Sequence, residues 1–214
     1  MPSDVDPKPV LLVALGGNAL IRKGQIGTVA EQFDNLMVPI SQIARLSGTY
    51  RIIITHGNGP QVGDLLLQQE CCDAALRLPL EILVAQTQGQ IGYMIESTLD
   101  QALMAIGIDT QPLVSLISYV VVDEADQAFH SPTKPVGPVF DPQKAAGLPY
   151  PTVNTPTGYR RVVVSPRPVT IVEKREIKTL IGLGFIVICC GGGGIPGGRA
   201  GRTFDGVDAV IDKD

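Results

Sequence analysis

Three short apolar runs in this chain each end directly in a cluster of glycines, and that coincidence restricts the fold more than any other feature. Val10 to Leu15 leads into Gly16-Gly17-Asn18-Ala19, and Ile52 to Thr55 leads into His56-Gly57-Asn58-Gly59-Pro60. Phe185 to Cys190 leads into Gly191 to Gly194. A short, wholly apolar run closed by glycine reads as a strand buried on both faces, the kind found in parallel sheets. In open parallel sheets the ligand crevice lies outside the carboxyl ends of the strands. Glycines there let backbone N–H groups approach an anion, and a helix beginning just beyond adds partial positive charge. Asn18 and Asn58 bring side-chain amide donors. Any one such loop also reads as a tight strand-to-helix turn, for which glycine and asparagine are default residues. Three together predict a shared anion site, with Gly16, Gly57 and Gly191 on one sheet edge.

The segments between these strands carry helical patterns. Thr28 and Glu31 form a capping-box signature ahead of Val29, Phe33, Leu36, Ile40 and Ile43, with Pro39 expected to kink or split the helix. Pro60 fits the first position of a helix running to about Leu76. The longest pattern runs from Leu80 to Ile106, with Leu80, Leu83, Val84, Thr87, Ile91, Ile95, Ala102 and Ile106 on one face and Gly107 to close it. Leu113 to Val122 is β-rich, and Glu173 to Leu183 is helical again. Strands alternating with helices predict an α/β fold, a mostly parallel sheet with helices on both faces. Residues 123–168 are dense in proline and glycine yet keep Val139-Phe140 and Val162 to Val164 as buried material. They are expected to form an inserted, protruding lobe on a main domain made of residues 1–122 and 169–214.

The chain has 214 residues and a net charge of −4, with Lys and Arg scattered. That balance speaks against nucleic acid as a partner. The apolar runs are too short to cross a bilayer, and the amino terminus has no basic leader, so the expectation is a cytoplasmic protein without a membrane partner. Cys71-Cys72 and Cys189-Cys190 lack CxxC spacing, and only His56 and His130 are present, so no metal site is expected. Cys189 and Cys190 read as core residues. The letters of Gly192 to Gly197 match a dinucleotide fingerprint, but Pro196 and the polar stretch 198–206 leave no amphipathic helix after it. No P-loop sequence occurs.

The motifs resemble those of carbamate kinases in the amino acid kinase superfamily. The resemblance is carried by residues 13–19 and 56–63, then by Gln86-Thr87-Gln88-Gly89 and residues 132–138. It continues through Ser165-Pro166-Arg167-Pro168, Gly191 to Pro196 and Asp208 to Asp214. It implies a three-layer amino acid kinase sandwich, a homodimer, and phosphoryl transfer between ATP and carbamate, with Mg²⁺ carried by the nucleotide. By the same resemblance, Gly16, Gly17, Asn18, Gly57, Asn58 and Gly59 hold the phosphoryl and carbamate oxygens, together with the loop of Gly191, Gly192 and Gly193. Lys134 closes over the carbamoyl end from the lobe. Many superfamily members carry a lysine where this chain has Ala14-Leu15, and Lys213 of the Asp-Lys-Asp motif takes that role, oriented by Asp214. His56 is open between a structural hydrogen bond and a ligand contact, and Arg160 and Arg161 are open between an anion contact and surface charge on the lobe, the second being the favoured reading.

The resemblance also implies a stretch beyond Asp214 that supplies most of the nucleotide-base pocket and a further lysine. The chain is therefore expected to be the amino-terminal two-thirds of such an enzyme, inactive alone, with an uncovered apolar sheet face. The other expectation is a non-catalytic module that binds carbamoyl phosphate or another subunit.

Overall fold

The computed structural model describes residues 8–71, 76–200 and 203–212. Its central sheet joins β1 (Val10–Leu15), β2 (Arg51–His56), β9 (Ile186–Ile188) and β3 (Leu113–Ser115) in the order β1-β2-β9-β3, every pairing parallel. The alternation within these strands decides the layers. Leu15, Ile52, Ile54, Ile186 and Ile188 face α1 (Val29–Leu46) and α3 (Leu80–Ala105), where they meet Leu36, Ile40, Ile91, Ile95 and Leu99 in the main core. Full burial of each such side chain stabilises the fold by about 1.5–3 kcal/mol. Ile53, Val187 and Cys189 face the other way, toward α5 (Lys174–Gly182), which adds Ile177 and Ile181. That layer is thin, and Leu12 on β1 stays 62% exposed.

Thr28 and Glu31 form the expected capping box at the start of α1. The helix then runs through Pro39 to Leu46 without splitting, because Leu36, Ile40 and Ile43 on either side of the proline are anchored in the core. At the other end of α3, Gly107 takes the left-handed conformation, φ 78°, and its N–H donates to the Met104 carbonyl at 3.0 Å. The helix after Pro60, α2 (Gly59–Glu70), ends before the expected Leu76, and residues 72–75 lie outside those described.

The β-rich segment from Leu113 to Val122 divides between two sheets. Its second half, β4 (Tyr119–Val122), joins β8 (Pro168–Ile171), β10 (Ile195–Ala200) and β11 (Thr203–Gly206) in the order β11-β10-β4-β8. Gln88 of α3 marks the break, accepting from the Ser118 N–H at 2.9 Å. The strand β10 comes directly after the third glycine loop, where a dinucleotide-binding fold would need a helix.

Residues of the expected lobe form a third, antiparallel sheet, with β7 (Gly158–Val163) between β5 (Lys134–Phe140) and β6 (Thr152–Thr155). A short helix, α4 (Pro142–Ala146), connects β5 to β6. This sheet rests on α2 at two points. Gly63 and Gly137 meet backbone to backbone, so a Cβ on Gly63 would overlap the Gly137 main chain. Further along α2, Glu70 pairs with Arg161 at 2.7 Å and accepts from the Tyr150 hydroxyl at 3.2 Å. Arg161 also lies over the Tyr150 ring, 4.3 Å from its centroid. It is therefore an anchor of the third sheet and not the free surface charge expected from sequence.

Helix propensity and packing make opposite forecasts for Gly63→Ala. Propensity favours alanine by about 1 kcal/mol, whereas forced overpacking of this kind costs about 1–3 kcal/mol. Packing should win because the obstacle is backbone, so the variant should lose thermal stability. A rise in melting temperature would contradict the Gly63–Gly137 contact.

Candidate active site

The carboxyl ends of β1, β2 and β9 lie along one sheet edge, with Leu15 beside His56 and Ile54 beside Ile188. The chain leaving each strand enters its glycine loop there. A cleft of about 340 Å³ opens between the loops and the third sheet. Gly17 and Asn18 line it from the first loop, Gly57, Asn58 and Gly59 from the second, and Gly192 from the third. Lys134 and Arg160 line the opposite wall. Gly16, Gly191 and Gly193 do not line this cleft.

The loops lead into different structures. Only the second launches an α-helix, since α2 begins at Gly59. The first continues into a 3-10 turn at Gly17–Ala19, and the third into another at Gly191–Gly193 and then β10. The expectation of a helix beyond each loop therefore holds at one. At that one, Asn58 occupies the N-cap position but does not cap. Its Nδ2 donates instead to Thr87 Oγ1 at 2.9 Å, which leaves the first turn of α2 without a side-chain acceptor. The positive end of the α2 dipole thus opens onto the cleft.

Glycine serves two purposes here. A Cβ at Gly17 or Gly59 would meet nothing within 4 Å, so those positions leave room on the cleft side. A Cβ at Gly191 would overlap the His56 ring, and one at Gly192 would overlap the Asn58 amide. The third loop is therefore pressed onto the second. Gln88 secures it, donating from Nε2 to the Gly191 carbonyl at 2.9 Å. Cys190, where the chain enters this loop, is the one non-glycine among the described residues with positive φ, 53°. Its strained backbone is held by the Ser118 hydroxyl and by Thr55 Oγ1, at 3.1 and 2.9 Å. Four loop N–H groups are engaged internally: Ala19 donates to the Gly16 carbonyl and Gly57 to the Leu15 carbonyl, both at 2.9 Å, while Gly193 donates to the Cys190 carbonyl at 3.0 Å and Gly194 to the Gly191 carbonyl at 3.1 Å.

His56 is 2% exposed, and burial lowers its pKa from the ordinary 6.5 to about 4. It is neutral at pH 7, lies against Gly191, and places Nδ1 3.2 Å from the Gly57 carbonyl. These contacts make it part of the packing that sets the loops.

Lys134 begins β5, and its Nζ lies 2.6 Å from Asp212 Oδ2. The pair joins the third sheet to the Asp-Lys-Asp segment. Lys213 and Asp214, the other two expected catalytic residues, lie outside the described residues. Sequence reasoning passed over three participants. Thr87 and Gln88 are polar residues on the buried face of α3, which was a readable signal. Arg160 looked like surface charge; instead it is half-buried, with Nε and Nη2 donating to the Gly137 carbonyl at 3.0 and 2.7 Å. Among the described residues, no helix is long and apolar enough to cross a membrane.

Comparison with known proteins agrees with this geometry. Residues 9–204 match the model of the amino acid kinase family. The chain is 44% identical over 214 residues to the carbamate kinase of Thermococcus kodakarensis, covering 95% of this chain and 68% of that protein. It is 42% identical over 211 residues to carbamate kinase 1 of Enterococcus faecium, covering 95% and 66%. Among solved structures, carbamate kinase from Giardia lamblia bound to citric acid superposes with a TM-score of 0.92 at 39% identity, covering 97% of this chain and 69% of that one. The same enzyme bound to AMP-PNP gives 0.83 at 40% identity, covering 97% and 68%. The chain thus spans about two thirds of the length of these relatives.

The depressed pKa of His56 has a thermodynamic consequence. Between pH 6.5 and about 4 the unfolded chain binds a proton on this ring that the folded chain refuses. Stability is thus undiminished above pH 6.5 and falls as pH drops, by up to about 3 kcal/mol from this group. Denaturant unfolding at several pH values should show a shallower acid decline in His56→Gln than in the parent. Parallel declines would contradict the neutral, buried imidazole.

Proposed function

Because this chain belongs to the amino acid kinase family, and within it to the carbamate kinases, we propose that its three-loop cleft holds the phosphoryl group in transit between ATP and carbamate. A carbamate oxygen forms the new bond to the γ-phosphorus as the bond from that phosphorus to the ADP oxygen breaks. In reverse, carbamoyl phosphate and ADP give carbamate and ATP. Carbamate is already anionic, so no general base is required, and catalysis rests on position and charge. The observation that carries this reading is one cleft bounded by all three glycine loops, with two cations from the third sheet opposite.

The N–H groups of Gly17, Asn18, Gly59 and Gly192 are the donors on offer to the transferring oxygens, aided by the Asn18 amide and the α2 dipole. Gly57 and Asn58 shape the wall, and Gly16, Gly191 and Gly193 set the loops that present it. Residues 123–168 act as the lobe over the site, and Lys134 meets the carbamoyl end after exchanging Asp212 for substrate. Lys213, oriented by Asp214, supplies the charge that relatives place beside the first glycine pair. The nucleotide bound by the Giardia lamblia relative, AMP-PNP, supports ATP or ADP as the second substrate. Mg²⁺ carried by the nucleotide would neutralise charge on its phosphates. A cytoplasmic homodimer completes the proposal.

The test is ATP formation from carbamoyl phosphate, ADP and Mg²⁺ by the complete gene product, which should sediment at twice its chain mass. Lys213→Ala should lower kcat by about 10²–10³ while the protein stays folded, as loss of a preorganised donor does. Lys134→Ala should raise KM for carbamoyl phosphate or lower kcat. Unchanged constants in either variant would remove that lysine from the mechanism, and no ATP formation by the parent would remove the reading itself.

A further inference from the structure

We propose that Arg160 is a second substrate-binding cation, gripping the planar carboxylate-derived end of the small substrate beside Lys134. The inference rests on the carbamate kinase reading of the cleft and gives a specific contact to a residue which that reading counts only as charge. Arg160 sits near the middle of β7, paired with Val153 of β6, and lines the wall facing Asn18, Gly59 and Gly192.

Its environment differs from those of the other cations on this sheet. Arg161 is matched by Glu70, and Lys134 by Asp212. Among the described residues no carboxylate pairs with Arg160, which donates only to the Gly137 carbonyl. A half-buried cation without a counter-ion carries a desolvation cost, and burial accordingly lowers the Arg160 pKa. An anion entering the cleft offsets that cost.

The geometry also suits a particular shape of anion. Two contacts to one carbonyl fix the plane of the guanidinium, and that carbonyl belongs to Gly137, itself wedged against Gly63. Of five N–H donors, those not turned toward Gly137 remain for a ligand. A planar fork held in one orientation matches the two coplanar oxygens of a carboxylate better than a flexible ammonium does. Lys134, a point charge on a mobile stem, then neutralises the substrate, while Arg160 reads its plane. Arg160 thereby reads carbamate, whose two carboxylate oxygens become the carbonyl and the bridging oxygen of carbamoyl phosphate.

Initial rates of ATP formation by the complete gene product, with carbamoyl phosphate and ADP varied separately, test this in Arg160→Gln and Arg160→Lys. Both variants should raise KM for carbamoyl phosphate about ten- to a hundredfold, the loss expected for a charge-assisted contact. KM for ADP should stay within about twofold, and added guanidinium ion should recover part of the rate in Arg160→Ala. If KM rises equally for both substrates, or melting temperature falls with KM for carbamoyl phosphate unchanged, Arg160 only braces Gly137 and the inference is overturned. If the parent binds carbamoyl phosphate at equilibrium but makes no ATP, the catalytic reading fails by itself. The inference is then judged on the dissociation constant, which Arg160→Gln should weaken by the same factor and which an unchanged value would refute.

Discussion

The site depends on how closely the third glycine loop packs onto the second. Gly191 lies on the His56 ring and Gly192 on the Asn58 amide, with no space for a single added carbon at either position. Everything near that contact is arranged to keep it. The imidazole is neutral because it is buried, so no charge is trapped beneath the loop. Asn58 is pinned by Thr87, and the Gly191 carbonyl by Gln88, both from one turn of α3. That helix also contributes Ile91, Met94, Ile95, Leu99 and Leu103 to the main core, so the loops are tied to the densest packing of the central sheet. Donors preorganised in this way need no rearrangement when charge moves, which is where phosphoryl transfer gains most.

A second consequence concerns the cations. The third sheet is held to α2 by the Gly63–Gly137 contact and by Glu70 with Arg161 and Tyr150. The same helix presents its amino terminus to the cleft. One element therefore sets both the second glycine loop and the spacing of Lys134 and Arg160 across the cleft from it. Lys134 is held by Asp212, and in the proposed mechanism substrate displaces that carboxylate. On that proposal the third sheet is held over the cleft by a pair that substrate replaces.

Much of this arrangement was legible in the sequence because it depends on local rules. Apolar runs ending in glycine located β1, β2 and β9, and the capping box located the start of α1. The face of α3 was read from its period as far as Ile95, including the buried Thr87, whereas Ile106, expected on the same face, is exposed just past the helix end. What escaped was set by contacts distant in the chain. Nothing near Arg160 says that its guanidinium meets Gly137, and nothing near Arg161 points to Glu70. Pro39 suggested a break, but tertiary packing of Leu36 and Ile40 outweighed it. The break between β3 and β4 depends on Gln88, thirty residues away from Ser118. The glycine loops looked alike in sequence, yet Gly17 and Gly59 leave space while Gly191 and Gly192 close it, a distinction only the packing reveals.

The central claim is that three loops form one anion site. Backbone amide NMR of the protein titrated with inorganic phosphate measures it most directly. The amides of Gly17, Asn18, Gly59 and Gly192 should shift together and fit one dissociation constant. Shifts confined to a single loop, or loops that titrate with different constants, would contradict it.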